Sequence, residues 1–309
     1  MFITSRVMIL SPTTLFLISI IALFVGILSV IAGLGGGVFI VPILAVLFEY
    51  EMPTVVGTTL VSTTFISLVG VIGAKRRKEI DFKFAFAFLV PAMISTFLGA
   101  LITDMIPDVI LLSILFSLAL ILSIKMLFES RKKKKLGIET YRRDKIHELK
   151  KERKEQEAHR HKIAFFARFH YPWLKPFITI KRDEYEFKIS IPVIIVFGLL
   201  IGFITGLLGS SGGWLISPLM ILGFGYTPIV ASGTSLFIIL IKAIVGGATH
   251  VVQGHFDLYL FIVLSIFLPI GGFIGDLIKR HLKNRIIGLI LGFCLLGVSA
   301  VILVFYFIL

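Results

Sequence analysis

The sequence has little cysteine and little charge, and these shortages exclude several classes of protein. Only one of the 309 residues is cysteine and 16% are charged. The single cysteine, Cys294, rules out an intrachain disulfide framework, paired-thiol redox chemistry and a cysteine-based zinc site. The apolar segments also lack a Ser/His/Asp set, paired carboxylates and a His/Cys cluster, so an intramembrane enzyme is the weakest interpretation. We therefore expect no catalytic residues, no metal and no cofactor.

Hydrophobic residues are abundant instead, at 57% of the chain with a mean hydropathy of +1.01. A soluble fold cannot bury so much apolar surface. The first apolar run, from about Leu15, is too long for the hydrophobic region of a signal peptide. The composition therefore predicts an all-α polytopic membrane protein with no cleavable signal peptide.

Ten apolar segments form two sets of five. Most are long enough for a membrane span of about 20 residues, but the second member of each set is too short. The runs 12–48 and 190–224 are each too long for one straight helix at about 1.5 Å per residue, so each must contain a break. The segments are 12–34, 36–48, 55–74, 84–103, 107–128, 190–208, 212–224, 229–249, 258–278 and 286–309.

A glycine-rich pattern occurs once in each set, at a constant offset of 176 residues. Glycine costs about 1 kcal/mol relative to alanine inside a helix, so consecutive glycines within an apolar run predict a helix break. The same offset relates residues outside the glycines, which indicates one module used twice. The matches join Gly33, Gly36, Gly37, Pro42, Gly57, Thr58, Gly70 and Asp81 to Gly209, Gly212, Gly213, Pro218, Gly233, Thr234, Gly246 and Asp257.

The charged loops predict how the two modules are oriented. Lys and Arg in short loops are retained on the cytoplasmic side, which places 75–78 and 279–283 there together with the basic connection after residue 128. The acidic loops 49–51 and 104–108 and the loop 250–257 then lie outside. This arrangement requires an odd number of crossings in each half. The prediction is two inverted-topology repeats, each with about four full spans plus a short glycine-interrupted helix.

Three regions follow from these patterns. Residues 1–128 are predicted to form the first membrane repeat, 129–188 a basic cytoplasmic connection, and 189–309 the second membrane repeat. Inverted repeats with interrupted helices in matching positions indicate a secondary transporter whose site lies near the bilayer midplane. The short helices begin directly after the glycines, and their positive N-terminal ends favour an anion. The expected substrate is a small anion.

The doubled glycine break followed by proline, the segments Gly57 to Leu60 and Gly233 to Leu236, and the loop 250–257 resemble the TauE/SafE sulfite exporter family. The resemblance covers both membrane halves but not residues 129–188. It implies movement of sulfite, organosulfonates or related sulfur-containing anions across the cytoplasmic membrane of prokaryotes. The two breaks differ in one respect, because Leu34 and Gly35 of the first correspond to Ser210 and Ser211 of the second.

The predicted substrate site joins both breaks, the hydroxyl-bearing segments that follow them and one buried lysine. Close helix packing is the alternative reading of the glycines, and interhelical hydrogen bonding is that of the hydroxyls. An unpaired lysine near the bilayer centre costs about 2.5 to 3.5 kcal/mol, so Lys242 should face the interior, with snorkelling toward the outer interface as its alternative. The site residues are Gly35, Gly36, Gly37, Thr58, Thr59, Ser210, Ser211, Gly212, Gly213, Thr234, Ser235 and Lys242.

The connection 129–188 contains 19 Lys and Arg against 10 Asp and Glu. A basic run directly after a span serves orientation and attraction to anionic lipid, so we expect a lipid partner and no nucleic acid. Mixed charges from Glu139 to Phe169 predict a solvated helix. The alternation between Phe177 and Ile191 is typical of a short hairpin.

The sequence thus predicts a secondary transporter that moves a small sulfur-containing anion across the cell membrane by alternating access. An anion channel, with the same positive helix ends but a continuous pore, is the alternative. The direction of transport, the oligomeric state and the coupling ion, a proton or sodium, stay open. His250 is interpreted as an interfacial residue, with a role in proton relay as the alternative.

Overall fold

The protein is an α-helical bundle with one small β-hairpin. A computed structural model describes residues 12–48, 50–141, 177–182 and 185–308. In these ranges the chain has ten α-helices, together with a 3-10 turn at Thr103–Met105 and a π-helical turn at Leu219–Gly223. The elements are α1 Pro12–Ala32, α2 Gly37–Leu47, α3 Met52–Arg76, α4 Phe82–Leu101, α5 Asp108–Tyr141, β1 Phe177–Arg182, β2 Tyr185–Ser190, α6 Ile191–Leu207, α7 Gly213–Pro218, α8 Pro228–Val252, α9 Leu258–Lys279 and α10 Asn284–Ile308.

Seven helices of the described ranges are long and apolar enough to cross a membrane: α1, α3, α4, α5, α8, α9 and α10. Helix α6, with 17 residues, is at the lower limit of a span. Large apolar side chains cover the outer surface, including Phe24, Val90 and Phe273, each more than half exposed. Such a surface suits lipid, which is as apolar as these side chains. The predicted all-α polytopic membrane fold is confirmed.

Local sequence explains where the helices of both halves begin. Proline stands in the first turn of α3 and of α8, where its missing N–H is not needed. Asp81 and Asp257 cap α4 and α9, since their carboxylates accept hydrogen bonds from Phe84 N at 3.1 Å and Leu260 N at 2.9 Å. These aspartates are related by the repeat offset, so the two halves start the same helix with the same cap.

The halves interlock through matching helix pairs. Helix α1 packs against α9 and α4 packs against α6, while α3 packs against α8 and α5 against α10. The repeat offset relates α1 to α6, α3 to α8, α4 to α9 and α5 to α10. Exchanging the two halves therefore converts the α1–α9 contact into the α4–α6 contact and leaves the α3–α8 and α5–α10 contacts unchanged.

Two hydrogen bonds fix the relative direction of α3 and α8. Thr58, near the start of α3, accepts from Asp257 N just beyond the end of α8, at 2.9 Å. Thr234, near the start of α8, accepts from Asp81 N just beyond the end of α3, also at 2.9 Å. Each helix therefore begins where the other ends, and these two corresponding helices run antiparallel.

The region after the first repeat is partly described. Helix α5 continues without interruption past residue 128 to Tyr141, so the first boundary that we predicted lies inside a helix. The hairpin expected between Phe177 and Ile191 is confirmed, with β1 and β2 antiparallel and Phe177 opposite Ser190. The solvated helix expected from Glu139 to Phe169 lies outside the described residues beyond Tyr141.

Candidate functional site

Both glycine stretches interrupt a helix, as predicted. Helix α1 ends at Ala32 and α2 begins at Gly37, while α6 ends at Leu207 and α7 begins at Gly213. The residues just before the short helices, Gly36 and Gly212, have φ of 86° and 84°. Side chains other than hydrogen are strained in this left-handed region, so glycine is required at both positions. The short helices therefore present their first backbone N–H groups at two unwound segments.

The two breaks touch one another. Ser211 Oγ of the second break donates a hydrogen bond to the Leu34 carbonyl of the first at 3.0 Å. A Cβ added to Gly213 would overlap the Gly33 carbonyl oxygen, and one added to Gly37 would lie 3.2 Å from Ser211 N. The predicted glycines thus allow two backbones to approach where any side chain would separate them.

Lys242 lies at the second break and not at the outer interface. Only 2% of its surface is exposed, and its Nζ donates to Thr205 Oγ1 at 2.5 Å. The same Nζ would be 3.0 Å from a Cβ at Gly212, the residue that precedes α7. A buried ammonium group therefore stands beside the positive end of a short helix, and the snorkelling alternative does not describe its position.

Most of the predicted hydroxyls already hold structural hydrogen bonds. Ser210 Oγ accepts from Trp214 Nε1 at 2.8 Å, and Ser235 Oγ donates to the Gly33 carbonyl at 2.8 Å. Thr58 and Thr234 lie toward opposite ends of the bundle, where they bind the backbone of the two capping aspartates. Thr59 Oγ1 is buried without a hydrogen-bond partner. A role of these residues in substrate binding stays a prediction.

The structure therefore assembles part of the predicted set. Residues of both breaks, together with Ser235 and Lys242, surround the contact between the unwound segments. Thr58 and Thr234 are held elsewhere by the helix starts that they support. Sequence reasoning missed Ser29 and Thr205, which face Gly36 and Gly212. Their signal was available, because the repeat offset pairs one hydroxyl residue with the other.

A cluster of four charges, which the sequence analysis did not predict, joins the halves at one end of the bundle. Arg77 bonds Asp276 through both terminal guanidinium nitrogens, at 2.9 and 2.6 Å, and Glu79 through Nε at 2.6 Å. Lys279 Nζ bonds Glu79 at 3.0 Å. Hydrogen bonding to Asp276, more than any other effect, raises the pKa of Arg77 above its usual range. The basic loops after α3 and α9 therefore lie at the same end, as predicted.

The opposite end carries histidines instead. His250 is fully buried near the end of α8, and its ring centroid lies 5.9 Å from that of His255. Among the described residues, no group of three or more His, Cys, Asp or Glu side chains is arranged to hold a metal ion.

Comparisons with known proteins agree with this architecture. The family model described as sulfite exporter TauE/SafE matches residues 18–302. The probable membrane transporter protein YunE of Bacillus subtilis is 26% identical over 280 residues, which cover 88% of this chain and 91% of that protein. A probable membrane transporter protein of Methanocaldococcus jannaschii is 28% identical over 120 residues, 37% of this chain and 45% of that protein.

A third relative, a probable membrane transporter protein of Xylella fastidiosa, is 30% identical over 115 residues, which cover 37% of this chain and 44% of that protein. None of the solved structures matches the chain. The family match covers nearly the whole described membrane region, including both breaks.

Proposed function

We propose that this chain, which belongs to the sulfite exporter TauE/SafE family and is a multi-pass membrane transporter, moves a small sulfur-containing anion by alternating access. The substrate class is sulfite, a sulfonate or a related organosulfur anion, and the membrane is the cell membrane. The observation that carries the proposal is the contact between the two unwound breaks, with Lys242 Nζ beside Gly212. Three sources of positive potential, two helix ends and one ammonium group, converge there.

The backbone supplies part of the positive potential at the breaks. The first N–H groups of a helix have no partner within the helix, and the helix dipole adds partial positive charge at the same place. One such end favours an anion by about 0.3 to 1 kcal/mol when exposed and by up to about 2 when partly buried. A sulfur oxyanion offers several acceptor oxygens, and Lys242 supplies a formal charge that helix ends lack.

Inverted repeats are part of the proposal. The antiparallel directions of α3 and α8 and the matching caps at Asp81 and Asp257 support them. In such a transporter the two halves rock around a fixed central site, so that the site opens to one side at a time. The basic loops after α3 and α9 would then face the cytoplasm, opposite the loop 250–257.

Alternating access explains the closed contact between the breaks better than a channel does. A continuous pore requires an open path, whereas here Ser211 bonds the Leu34 carbonyl and Gly213 leaves no room for a Cβ. Transport through this point requires the breaks to separate. We propose that a coupling ion, a proton or sodium, drives this separation of the breaks. Anionic lipid is the proposed partner of the basic residues in 129–188.

Anion flux across the membrane of liposomes that contain the purified protein tests the proposed function. Uptake of labelled sulfite or methanesulfonate should saturate and should be accelerated by the same anion on the opposite side. A high unitary conductance without counterflow would establish the channel instead. Absence of saturable binding for sulfite, thiosulfate and short sulfonates alike would contradict the proposed substrate class.

A pair of glycine variants tests the position of the site. Gly213→Val should abolish anion binding, because the new side chain pushes the two breaks apart. Gly297→Val is the matched control, since a Cβ there meets nothing within 4 Å. Both proteins should insert into the membrane. Equal anion affinity in a folded Gly213→Val protein and in its control would refute a site at the breaks.

A further inference from the structure

Four buried hydroxyl groups of the first half have no hydrogen-bond partner. They belong to Ser29 on α1 and to Thr59, Thr63 and Ser67 on α3, and each of these residues is 0% exposed. Buried polar groups are almost always satisfied, because an unpaired donor costs about 1 to 3 kcal/mol. Four such groups on two helices that flank one break therefore point to a partner that binds there.

The corresponding positions of the second half have no such shortage. Thr205, the equivalent of Ser29, accepts from Lys242 Nζ, and Ser235, the equivalent of Thr59, donates to the Gly33 carbonyl. The equivalents of Thr63 and Ser67 are Ile239 and Ala243, which have no hydroxyl. At these equivalent positions the second half satisfies its hydroxyl groups within the chain, whereas the first half leaves them without a hydrogen-bond partner.

The hydroxyl of Ser29 faces the first break. Ser29 Oγ is 3.7 Å from the position of a Cβ on Gly36, directly before the eleven-residue helix α2. Ile239 Cδ1 lies 3.0 Å from the position of a Cβ on Gly35. By the repeat offset, Thr63 is the equivalent of Ile239 and Ser211 is the equivalent of Gly35. The face of α3 that carries Thr59 and Thr63 is thus the counterpart of a face of α8 that borders the breaks.

Residue 66 explains why the first half needs a partner from outside. Its equivalent in the second half is Lys242, whose ammonium group reaches Thr205. Ile66 has no polar atom to offer to Ser29, and its Cγ1 lies 2.9 Å from the position of a Cβ built on Gly272. The hydroxyl of Ser29 therefore keeps its donor free beside the positive end of α2.

We propose that Ser29, Thr59 and Thr63 donate hydrogen bonds to oxygen atoms of the transported oxyanion, with Ser67 one helical turn farther along the same path. The inference rests on the proposed function and divides the site between the halves. Hydroxyl donors come from the first half and the formal positive charge of Lys242 comes from the second. Chemically, this arrangement fits an anion with several oxygens on one face, such as a sulfonate.

Binding of methanesulfonate and of sulfite to purified Ser29→Ala and Thr63→Val proteins tests the proposal. Each substitution should weaken binding about 10- to 150-fold, the effect of one lost hydrogen bond to a charged acceptor. Thr63→Ser should restore binding. Ser62→Ala is the matched control on α3, because its hydroxyl already donates to the Thr58 carbonyl at 3.0 Å, and its affinity should equal that of the parent.

Thermal unfolding without anion separates binding from structure. Removing an unsatisfied buried hydroxyl removes a cost, so Ser29→Ala and Thr63→Val should unfold at the same temperature as the parent or higher. Weaker anion binding together with undiminished stability is the signature of a ligand contact. Loss of stability in proportion to the loss of binding would overturn the inference, because the hydroxyls would then be structural.

Three further outcomes are decisive. If the hydroxyl variants change the affinity for sodium, measured with choline as replacement, and leave anion affinity unchanged, the hydroxyls bind a coupling cation and the inference fails. If they bind both anions like the parent while Lys242→Met and Gly213→Val lose binding, the inference fails and the proposed function stands. Absence of anion binding in the parent protein would instead contradict the proposed function itself.

Discussion

The two halves share a backbone and differ in charge. Residues that set the path of the chain are the same in both, such as the break glycines and the capping aspartates Asp81 and Asp257. Side chains that carry chemistry differ, because Lys242 in the second half corresponds to Ile66 in the first. Backbone geometry therefore constrains both copies alike, whereas one positive charge is enough for the proposed anion site and allows the other copy to diverge.

The two ends of the bundle show the same contrast. Arg77, Glu79, Asp276 and Lys279 join the halves at one end through ion pairs. The equivalent positions at the other end are Gln253, His255, Ala100 and Thr103. Of these, Thr103 donates to carbonyl groups, with Gly99 O at 3.1 Å. Ion pairs thus join the halves at one end, whereas His255 is the one residue of the corresponding set at the other end whose side chain can carry a charge.

The largest expected effect is at the charged end. Glu79→Gln leaves the ammonium group of Lys279 buried without a carboxylate, and breaking a buried pair in this way costs about 3 to 5 kcal/mol. Thermal unfolding in detergent should show a large decrease in stability. Lys75→Gln, which removes an exposed charge near the same loop, is the control and should change little.

The double variant Glu79→Gln with Lys279→Met sharpens this test. It removes both charges of the pair, so much of the lost stability should return. A double variant as unstable as Glu79→Gln alone would mean that the pair itself, and not an orphaned charge, sets the stability of this end.

The next largest effect is expected on anion affinity, from substitution of Lys242 at the second break. Lys242→Met removes a charged donor, so anion affinity should decrease by the equivalent of about 1.5 to 3 kcal/mol. The additional exchange Ile66→Lys places an ammonium group at the equivalent point of the first half. Titration with methanesulfonate should show partial recovery in that double variant. Unchanged anion affinity in Lys242→Met would show that the charge of Lys242 does not contribute to the proposed site.

A smaller difference is expected between the two capping aspartates. Asp257→Ala loses one helix cap, typically about 1 kcal/mol. Asp81→Ala should cost more, because Asp81 also accepts a hydrogen bond from Tyr226 OH at 3.0 Å and this donor is buried. Chemical or thermal unfolding of the two variants measures the difference. Equal losses would show that the tyrosine contributes no additional stability.

The sequence predicted the features that depend on periodicity and on glycine. The long apolar runs, the two breaks and the hairpin after residue 176 all follow from local patterns, because chain conformation and burial leave a direct mark on residue type. The burial of Lys242 also followed, since an unpaired ammonium group cannot face hydrocarbon. The family was recognised from the same repeated residues.

The long-range contacts could not be predicted from a single sequence. Arg77 and Asp276 are 199 residues apart, and nothing local shows that their loops meet. Thr58 and Thr234 were expected at the site because they are polar within apolar segments, but their position is decided by where the capping aspartates lie. The lack of a hydrogen-bond partner for Ser29 also depends on long-range contacts, since a hydrogen-bond donor in place of Ile66 could pair with its hydroxyl.

The last comparison is between two tyrosines related by the repeat, Tyr50 and Tyr226. Burial, with an added contribution from the charge of Asp257, raises the pKa of Tyr50 to about 12. A raised folded-state pKa means that the neutral phenol is preferred in the native protein, so the contribution of Tyr50 to stability is complete below about pH 10 and is lost as the pH rises through about 12. Spectrophotometric titration of the parent and of Tyr50→Phe isolates this phenol. If the absorbance difference between the two proteins titrates near the ordinary tyrosine pKa of about 10, then neither burial nor the charge of Asp257 raises the pKa of Tyr50.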